Sequence, residues 1–150
     1  MNLSRATISL LFVAFTLATV GCASTSQSTT RNTPSAIPQD GRGRITFYRP
    51  NGIFGYAQRA DILLDGSKVG KSVPGVKFCV DTTPGTHHIS VPNVMYPGER
   101  TLDVTVRSKE VAYVKTSLDG TAYGGRTKVE AINASQGAQE TANLKLVSSQ

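Results

Sequence analysis

The stretch ADILLDGSKVGKSVPGVKFCVDTTPGTHHISVP, from Ala60 to Pro92, sets the local architecture of this chain. It contains three short apolar runs separated by pairs of residues that favour tight turns, the pattern of consecutive β-strands. The runs are Ile62–Leu64, Val76–Val80 and Ile89–Val91, and the pairs are Asp65-Gly66, Pro74-Gly75 and Pro84-Gly85. We therefore predict a β-meander of three strands.

Within each run, apolar residues recur at every second position, as in a strand that buries one face. In the middle run this alternation places Phe78 on the core side and Cys79 on the opposite side. Two interpretations of Cys79 stay open. It is a small apolar residue covered by a helix or by Ile53-Phe54, or it is an accessible thiol able to pair with a second chain.

Composition favours an all-β fold. The chain has 150 residues, of which 39% are hydrophobic and 17% charged, and its 14 Gly and 7 Pro are typical of a turn-rich β domain with one core. Further strands are predicted at Arg44–Pro50, Leu102–Val106, Val111–Val114 and Thr127–Ile132, and a short C-terminal helix at Gln136–Leu146. We expect a small antiparallel β-sandwich or a partly open barrel.

The N-terminus has the pattern of a secretory signal peptide, predicted for residues 1–21. Arg5 precedes an apolar segment, Ala6 to Val20, which ends at Gly21-Cys22. As a helix, roughly 15 residues would cover only about 23 Å of a hydrocarbon core near 30 Å. A cleaved signal therefore explains this segment better than a permanent membrane span does.

The sequence TVGC at residues 19–22 resembles the lipobox of bacterial lipoproteins, although that family usually has Leu where Thr19 stands. The resemblance implies that Cys22 is acylated and becomes the mature N-terminus, because several acyl chains make a lasting membrane anchor. Ala23 and Ser24 follow the cysteine, and the absence of Asp there implies, as in related lipoproteins, an outer-membrane protein that faces the periplasm.

Residues 22–43 are predicted to form a lipidated flexible linker. From Ala23 to Gly43 the chain is rich in Ser, Thr, Pro and Gly and has almost no large apolar residues, so it cannot bury enough surface to order itself. Such a linker has a random-coil reach of about 25 Å. The folded domain is predicted to occupy residues 44–150.

A second resemblance is to the bacterial lipoprotein family known as domain of unknown function 2846, with turns like those of PEGA-type surface β-modules. It is carried by four short segments: Phe47-Tyr48-Arg49-Pro50, Ile62–Gly66, Val69-Gly70 and Pro84–His87. The likeness covers roughly Gly43 to Lys145. It implies a fold and a location in the cell envelope, but no activity and no catalytic residue.

We predict no catalytic, cofactor-binding or metal-binding residues. Gly66–Ser72 approaches a phosphate-binding loop, but three residues separate its glycines where the motif needs four, and Pro74 prevents the helix that must follow. A type I′ hairpin at Asp65-Gly66 followed by a basic edge strand explains the segment better. His87 and His88 are adjacent on a strand, so their rings project to opposite faces and cannot share one ion.

The net charge of +6 is scattered along the chain, and losing Arg5 with the signal peptide leaves +5. Nucleic-acid binding is not predicted, because no dense basic run or aromatic stacking platform occurs. We expect a membrane-anchored envelope lipoprotein that acts as a binding or structural module for an envelope protein or polymer. The alternative is an envelope hydrolase with an unrecognised active site; the oligomeric state cannot be read from the residues.

Overall fold

Nine strands and one helix make up the part of the chain that the computed structural model describes, namely residues 37–38, 40–52, 55, 57–121 and 124–150. The strands are β1 Gly43–Arg49, β2 Asp61–Leu64, β3 Ser67–Lys71, β4 Val76–Thr82, β5 Gly85–Pro92, β6 Glu99–Val106, β7 Val111–Thr121, β8 Gly124–Ile132 and β9 Lys145–Leu146. Helix α1 is Ala134–Thr141.

The strands form two sheets with the core between them, so the predicted all-β, sandwich-like fold is confirmed. One sheet has five strands in the order β8-β7-β1-β4-β9, and the other has four in the order β3-β2-β5-β6. Neither sheet closes into a barrel within the described ranges. The four-stranded sheet is antiparallel throughout, as predicted, but β1 pairs with β7, and β4 with β9, in parallel.

The predicted meander is wrong, because its middle strand lies in the other sheet. Asp65 and Gly66 have φ values of 50° and 79°, and this type I′ turn pairs β2 with β3 as predicted. With one side of β2 taken by β3 and the other by β5, no position beside β2 is left for β4. The run Val76–Val80 instead crosses over and pairs with β1.

Both sheets contribute side chains to the core at alternate positions. Phe47 of β1 and Phe78 of β4 lie opposite each other, and their rings stack with centroids 5.1 Å apart. The other buried apolar residues are Ile45, Ala60, Ile62, Leu64, Ile89, Val91, Val104, Val106 and Val114. The predicted core-facing position of Phe78 is therefore confirmed.

Helix α1 is shorter than predicted and starts earlier. Asn133 caps its N-terminus by accepting a hydrogen bond from the Gln136 backbone N–H, so the helix begins at Ala134 rather than at Gln136. It ends at Thr141, and Lys145-Leu146 is extended and pairs with β4. The apolar spacing that suggested a longer helix belongs in part to this strand.

The C-terminal segment closes one side of the sandwich. After β9, the Val147 N–H donates to the Lys77 carbonyl of the five-stranded sheet. The Gln150 N–H then donates to the Val69 carbonyl of β3, which is the edge of the other sheet. β6 and β8 are the edge strands on the opposite side.

The start of the domain and the β5–β6 loop lie at opposite ends of β6. At its C-terminal end, the β6–β7 turn holds the start of the domain, because the Lys109 N–H donates to the Arg42 carbonyl. At its N-terminal end lies the β5–β6 loop, residues 93–98. Eight residues of strand separate the two ends by about 25 Å.

Candidate functional site

Several predicted features lie outside the described residues: the signal peptide, Cys22, residues 22–36 and 39 of the linker, and the pair Ile53-Phe54. The acylation of Cys22 therefore stays a prediction. In the described part of the chain, no helix is both long and apolar enough to cross a membrane.

Among the described residues, the most exposed run of apolar side chains is the tip of the β5–β6 hairpin, residues Val94–Pro97, which we call the hairpin tip. Val94 is 51% exposed, Met95 60% and Tyr96 45%. Isolated exposed apolar residues are ordinary on protein surfaces, but three in succession on one loop are a feature of contact sites.

Asn93 holds the hairpin tip in place. Its backbone N–H donates to the Gly98 carbonyl, and its side-chain amide donates to the carbonyls of Pro97 and Gly98. Its side-chain oxygen accepts from the Thr127 N–H of β8 at 3.1 Å, which ties the loop to the other sheet. The Gln58 amide donates to the Met95 sulfur. The backbone at the base of the tip is thus fixed, while the side chains of residues 94–96 are about half exposed to solvent.

Two exposed arginines adjoin the base of the tip, and we call them the arginine collar. Arg100 follows the loop on β6, and Arg126 adjoins Thr127. Arg59 adjoins Gln58 but lines a depression with Val147 and Gln150 of the C-terminal segment, so it is not part of the collar. Acidic residues occur there too: Glu99 begins β6, and Asp119 lies opposite Arg126 on β7. On β8, Lys128 pairs with Glu130. The base of the tip therefore combines an apolar protrusion with charges of both signs.

This surface is not among the features predicted from the sequence. Its signal is the segment PNVMYPG at residues 92–98, where apolar residues lie between two turn pairs without the alternation of a strand. Such a segment can be a core loop or an exposed tip. Only the tertiary contacts of Asn93 decide between the two.

Arg49 has a structural position. It is only 6% exposed, and its guanidinium donates to the carbonyls of Gly55, Gln58 and Ser72 at 3.0, 2.9 and 3.5 Å. Burial lowers the pKa of this guanidinium from its usual value. Arg49 thus binds the segment after β1 to the end of the sandwich, and nothing in this geometry makes it a ligand site.

A buried histidine joins two turns on the four-stranded side. His87 is 7% exposed, and its Nδ1 lies 2.7 Å from an Asp65 carboxylate oxygen, while its Nε2 lies 2.8 Å from the Thr83 carbonyl oxygen. Asp65 also accepts from the His88 backbone N–H. The hydrogen bond to Asp65 raises the pKa of His87, and the same bond lowers the pKa of Asp65. This ion pair therefore locks the β2–β3 turn against the β4–β5 turn.

The same group has the outline of a catalytic triad, because Thr82 Oγ1 lies 3.1 Å from His87 Nε2. A nucleophile needs a base with a free lone pair to take its proton. His87 Nε2 lies closer to the Thr83 carbonyl oxygen, which can only accept, than to Thr82 Oγ1, so this nitrogen is oriented to donate to the carbonyl rather than to take a proton from Thr82. This arrangement does not activate Thr82.

His88 projects to the other face of the sheet, as predicted. It is exposed and pairs with Asp103, directly opposite on β6, at 2.7 Å. The two adjacent histidines thus have separate carboxylate partners on separate faces. Among the residues that the structure describes, no group of three or more His, Cys, Asp or Glu side chains could hold a metal ion.

Cys79 lies on the outer face of the five-stranded sheet, as predicted, and is half-buried. Its Sγ is 3.6 Å from Thr46 Oγ1 on the neighbouring strand. Helix α1 packs on this face: two residues before Cys79, the buried Lys77 ammonium donates to the Thr141 carbonyl at the end of the helix. The environment favours the covered interpretation, although part of the residue stays accessible.

The neighbouring contacts of α1 are polar. Tyr48 donates to a Glu140 carboxylate oxygen at 3.0 Å, and Lys115 pairs with the same carboxylate at 2.8 Å. Lys115 lowers the pKa of Glu140, and burial raises the pKa of Tyr48. These groups attach the helix to the sheet and face one another rather than a cleft.

Two shallow depressions lie between β6 and β8. One, of about 290 Å³, is lined by Arg100, Asp119 and Lys128 among others. The second, of about 260 Å³, lies along Asp103–Thr105 and Ala131–Ala134. Among the described residues that line them, neither brings a nucleophile together with a base.

Comparison with family models, curated proteins and solved structures gave no match to this chain. The assignment to the family of domain of unknown function 2846 therefore stays a prediction.

Proposed function

We propose that this protein is a lipid-anchored lipoprotein of the cell envelope, located at the outer membrane and facing the periplasm, that acts as a non-enzymatic binding or structural module. The signal-like segment and the cysteine at position 22 support the anchor. The resemblance to domain of unknown function 2846 supports the same class of protein.

The observation that carries the binding role is the hairpin tip. An isolated β-sandwich gains nothing from three neighbouring apolar side chains held out in water, and such surfaces mark sites of contact. We propose that the hairpin tip is the contact surface of the module.

A hydrolase is the second candidate, because Asp65, His87 and Thr82 form a hydrogen-bonded series. Against it stand the orientation of His87 Nε2 toward the Thr83 carbonyl and the burial of that ring. A Thr82→Ala variant that lost an envelope hydrolytic activity would favour this candidate.

The anchor is tested by Cys22→Ala in cells. We expect the variant to leave the membrane fraction, because the rest of the mature chain has no comparable anchor in its sequence. Retention of the variant in membranes after a high-salt wash would contradict the anchor.

The contact surface is tested by in-cell photocrosslinking. A photoreactive residue at Tyr96 should form adducts, whereas the same residue at Val147, an exposed apolar position on the C-terminal segment, serves as the matched control. Equal labelling from both positions would argue against a specific contact at the tip.

A further inference from the structure

We propose that the hairpin tip inserts into the lipid bilayer that carries the anchor, with the arginine collar at the level of the lipid phosphates. This inference rests on the proposed function and gives its contact surface a chemical class of partner, an acidic phospholipid surface.

The shape of the surface favours a bilayer over a protein. A stable protein interface buries about 800 Å² on each partner and has a broad, well-packed centre. The hairpin tip is instead a small protrusion whose exposed apolar residues, 94–96, follow one another on one loop. A fluid bilayer adapts to such a protrusion, and apolar groups enter it to a depth of about 5–10 Å at the boundary of headgroups and acyl chains.

The polarity of each side chain in the tip and the collar matches the depth in the bilayer that it would reach. Val94 and Met95 are apolar throughout and would face the acyl chains. Tyr96 combines an aromatic ring with a hydroxyl, the combination that is enriched at membrane interfaces. The collar arginines, Arg100 and Arg126, adjoin the base of the tip, at the depth where lipid phosphates would lie.

The predicted linker allows anchor and tip to reach the same bilayer. The domain starts at the end of β6 opposite to the hairpin tip, so the linker must return over a distance of about 25 Å. Pro38 is buried and the Arg42 carbonyl is bonded to the β6–β7 turn, so only residues 22–36 of the predicted linker are counted as a tether. A flexible chain of that length has a predicted coil reach of about 21 Å and an extended length of about 50 Å. Because the anchor holds the domain at a high effective concentration near the lipid, weak insertion suffices.

The chain contains no Trp, so a single substitution provides a site-specific fluorophore. We would reconstitute the acylated full chain carrying Met95→Trp in phosphatidylethanolamine–phosphatidylglycerol vesicles that contain brominated acyl chains. Val147→Trp is the matched control, and Tyr96→Trp repeats the test at the neighbouring residue in case Met95→Trp disturbs the loop. Flotation in a density gradient reports the anchor separately from the fluorescence.

We expect blue-shifted, bromine-quenched emission at positions 95 and 96 and water-like, unquenched emission at 147. Arg100→Ala in the Met95→Trp chain should lower the ratio of inserted to free tip about fivefold, since a basic residue near an anionic surface contributes about a factor of five. Exchange of the anionic lipid for phosphatidylcholine should also lower the ratio of inserted to free tip.

Chains that float with the vesicles but show unquenched emission at both tip positions would overturn the inference and leave the anchor intact. Equal quenching at 147 would also overturn it, because the whole domain would then lie on the lipid without a preferred contact. Protein adducts, without lipid adducts, from a photoreactive residue at 96 in cells would assign the tip to a protein partner instead. A chain that neither floats nor shows quenching would refute both proposals.

Discussion

The ion pair between Asp65 and His87 makes a quantitative prediction about stability. Asp65→Asn removes the charge but suits the turn, because Asn is favoured at a position with positive φ in a type I′ turn. Hydrogen bonds to charged groups contribute about 1.5–3 kcal/mol. Asp65 is 52% exposed, so solvent weakens its part, and we expect a loss of about 1–1.5 kcal/mol near pH 5.5.

The loss should depend on pH with a defined sign. The folded-state pKa of His87 is raised, so its contribution is complete below about pH 6.5 and disappears as the pH rises through that folded-state value. The pKa of Asp65 is lowered, so its contribution is present above about pH 4 and disappears as the pH falls through the folded-state value. The difference between wild type and variant should therefore be largest near pH 5–6 and small at pH 9.

Thermal unfolding of the chain without residues 1–40, followed by circular dichroism at pH 5.5 and 9, measures this difference. At pH 5.5 the variant should melt about 4–6 °C lower. His88→Gln is the matched control, because the pair of His88 with Asp103 is exposed and should contribute less than about 0.5 kcal/mol. The melting temperatures of wild type and Asp65→Asn could instead differ equally at both pH values, or differ more at pH 9. Either result would show that His87 is not held as the cation.

Four further predictions concern the domain. A chain starting at Gly41 should fold alone with a β-type circular dichroism spectrum, and a disordered spectrum would refute that boundary. Arg49→Met should cost about 2–4 kcal/mol in urea unfolding, because several buried carbonyls lose a donor; a loss below about 0.5 kcal/mol would contradict the role of Arg49. Cys79 should react slowly with a thiol reagent in the folded chain and rapidly in urea, and a disulfide-linked dimer on a non-reducing gel would show instead that its face is open. Gly137→Ala should destabilise by about 1–3 kcal/mol in thermal unfolding although Ala favours helix, since the added methyl would collide with the Tyr113 ring; a stabilised variant would refute this packing.

The local structure around the turns could be predicted from the sequence because its causes are local. Asp65-Gly66 supplies two residues that tolerate positive φ, and this alone selects the hairpin. The alternation around Phe78 correctly placed this side chain in the core, but it did not reveal that the opposite face is also covered, where Lys77 is buried. These features depend on the backbone preferences of a few adjacent residues.

The pairing of strands could not be predicted in the same way. The run Val76–Val80 has the same apolar pattern in either sheet, and its place is decided by β3 and β5, which occupy both sides of β2. The parallel pairings of β1 with β7 and of β4 with β9 join segments far apart in sequence. No local signal marks such contacts.

The ion pair of His87 was hidden from sequence analysis for a related reason. A histidine on the inner side of a strand is ordinary, and its carboxylate partner lies 22 residues away on another strand's turn. The sequence could show that two adjacent histidines face opposite sides. It could not show that Asp65 and Asp103 each lie within 2.7 Å of one of them.

The hydrogen bonds of Asn93 hold the hairpin tip without using the side chains of residues 94–96. This is our reason for attributing those apolar side chains to function rather than to folding. Asn93 closes the loop through the carbonyls of Pro97 and Gly98 and joins it to the other sheet through Thr127. All of these bonds use the side chain or backbone of Asn93 and the backbone of its partners. None of them requires an apolar residue at positions 94 to 96, and polar side chains there would meet water at no cost to the core. The bonds of Asn93 thus fix the backbone of the loop whatever side chains stand at positions 94 to 96, and this independence is what supports our proposal that their apolar character serves the contact that the tip makes.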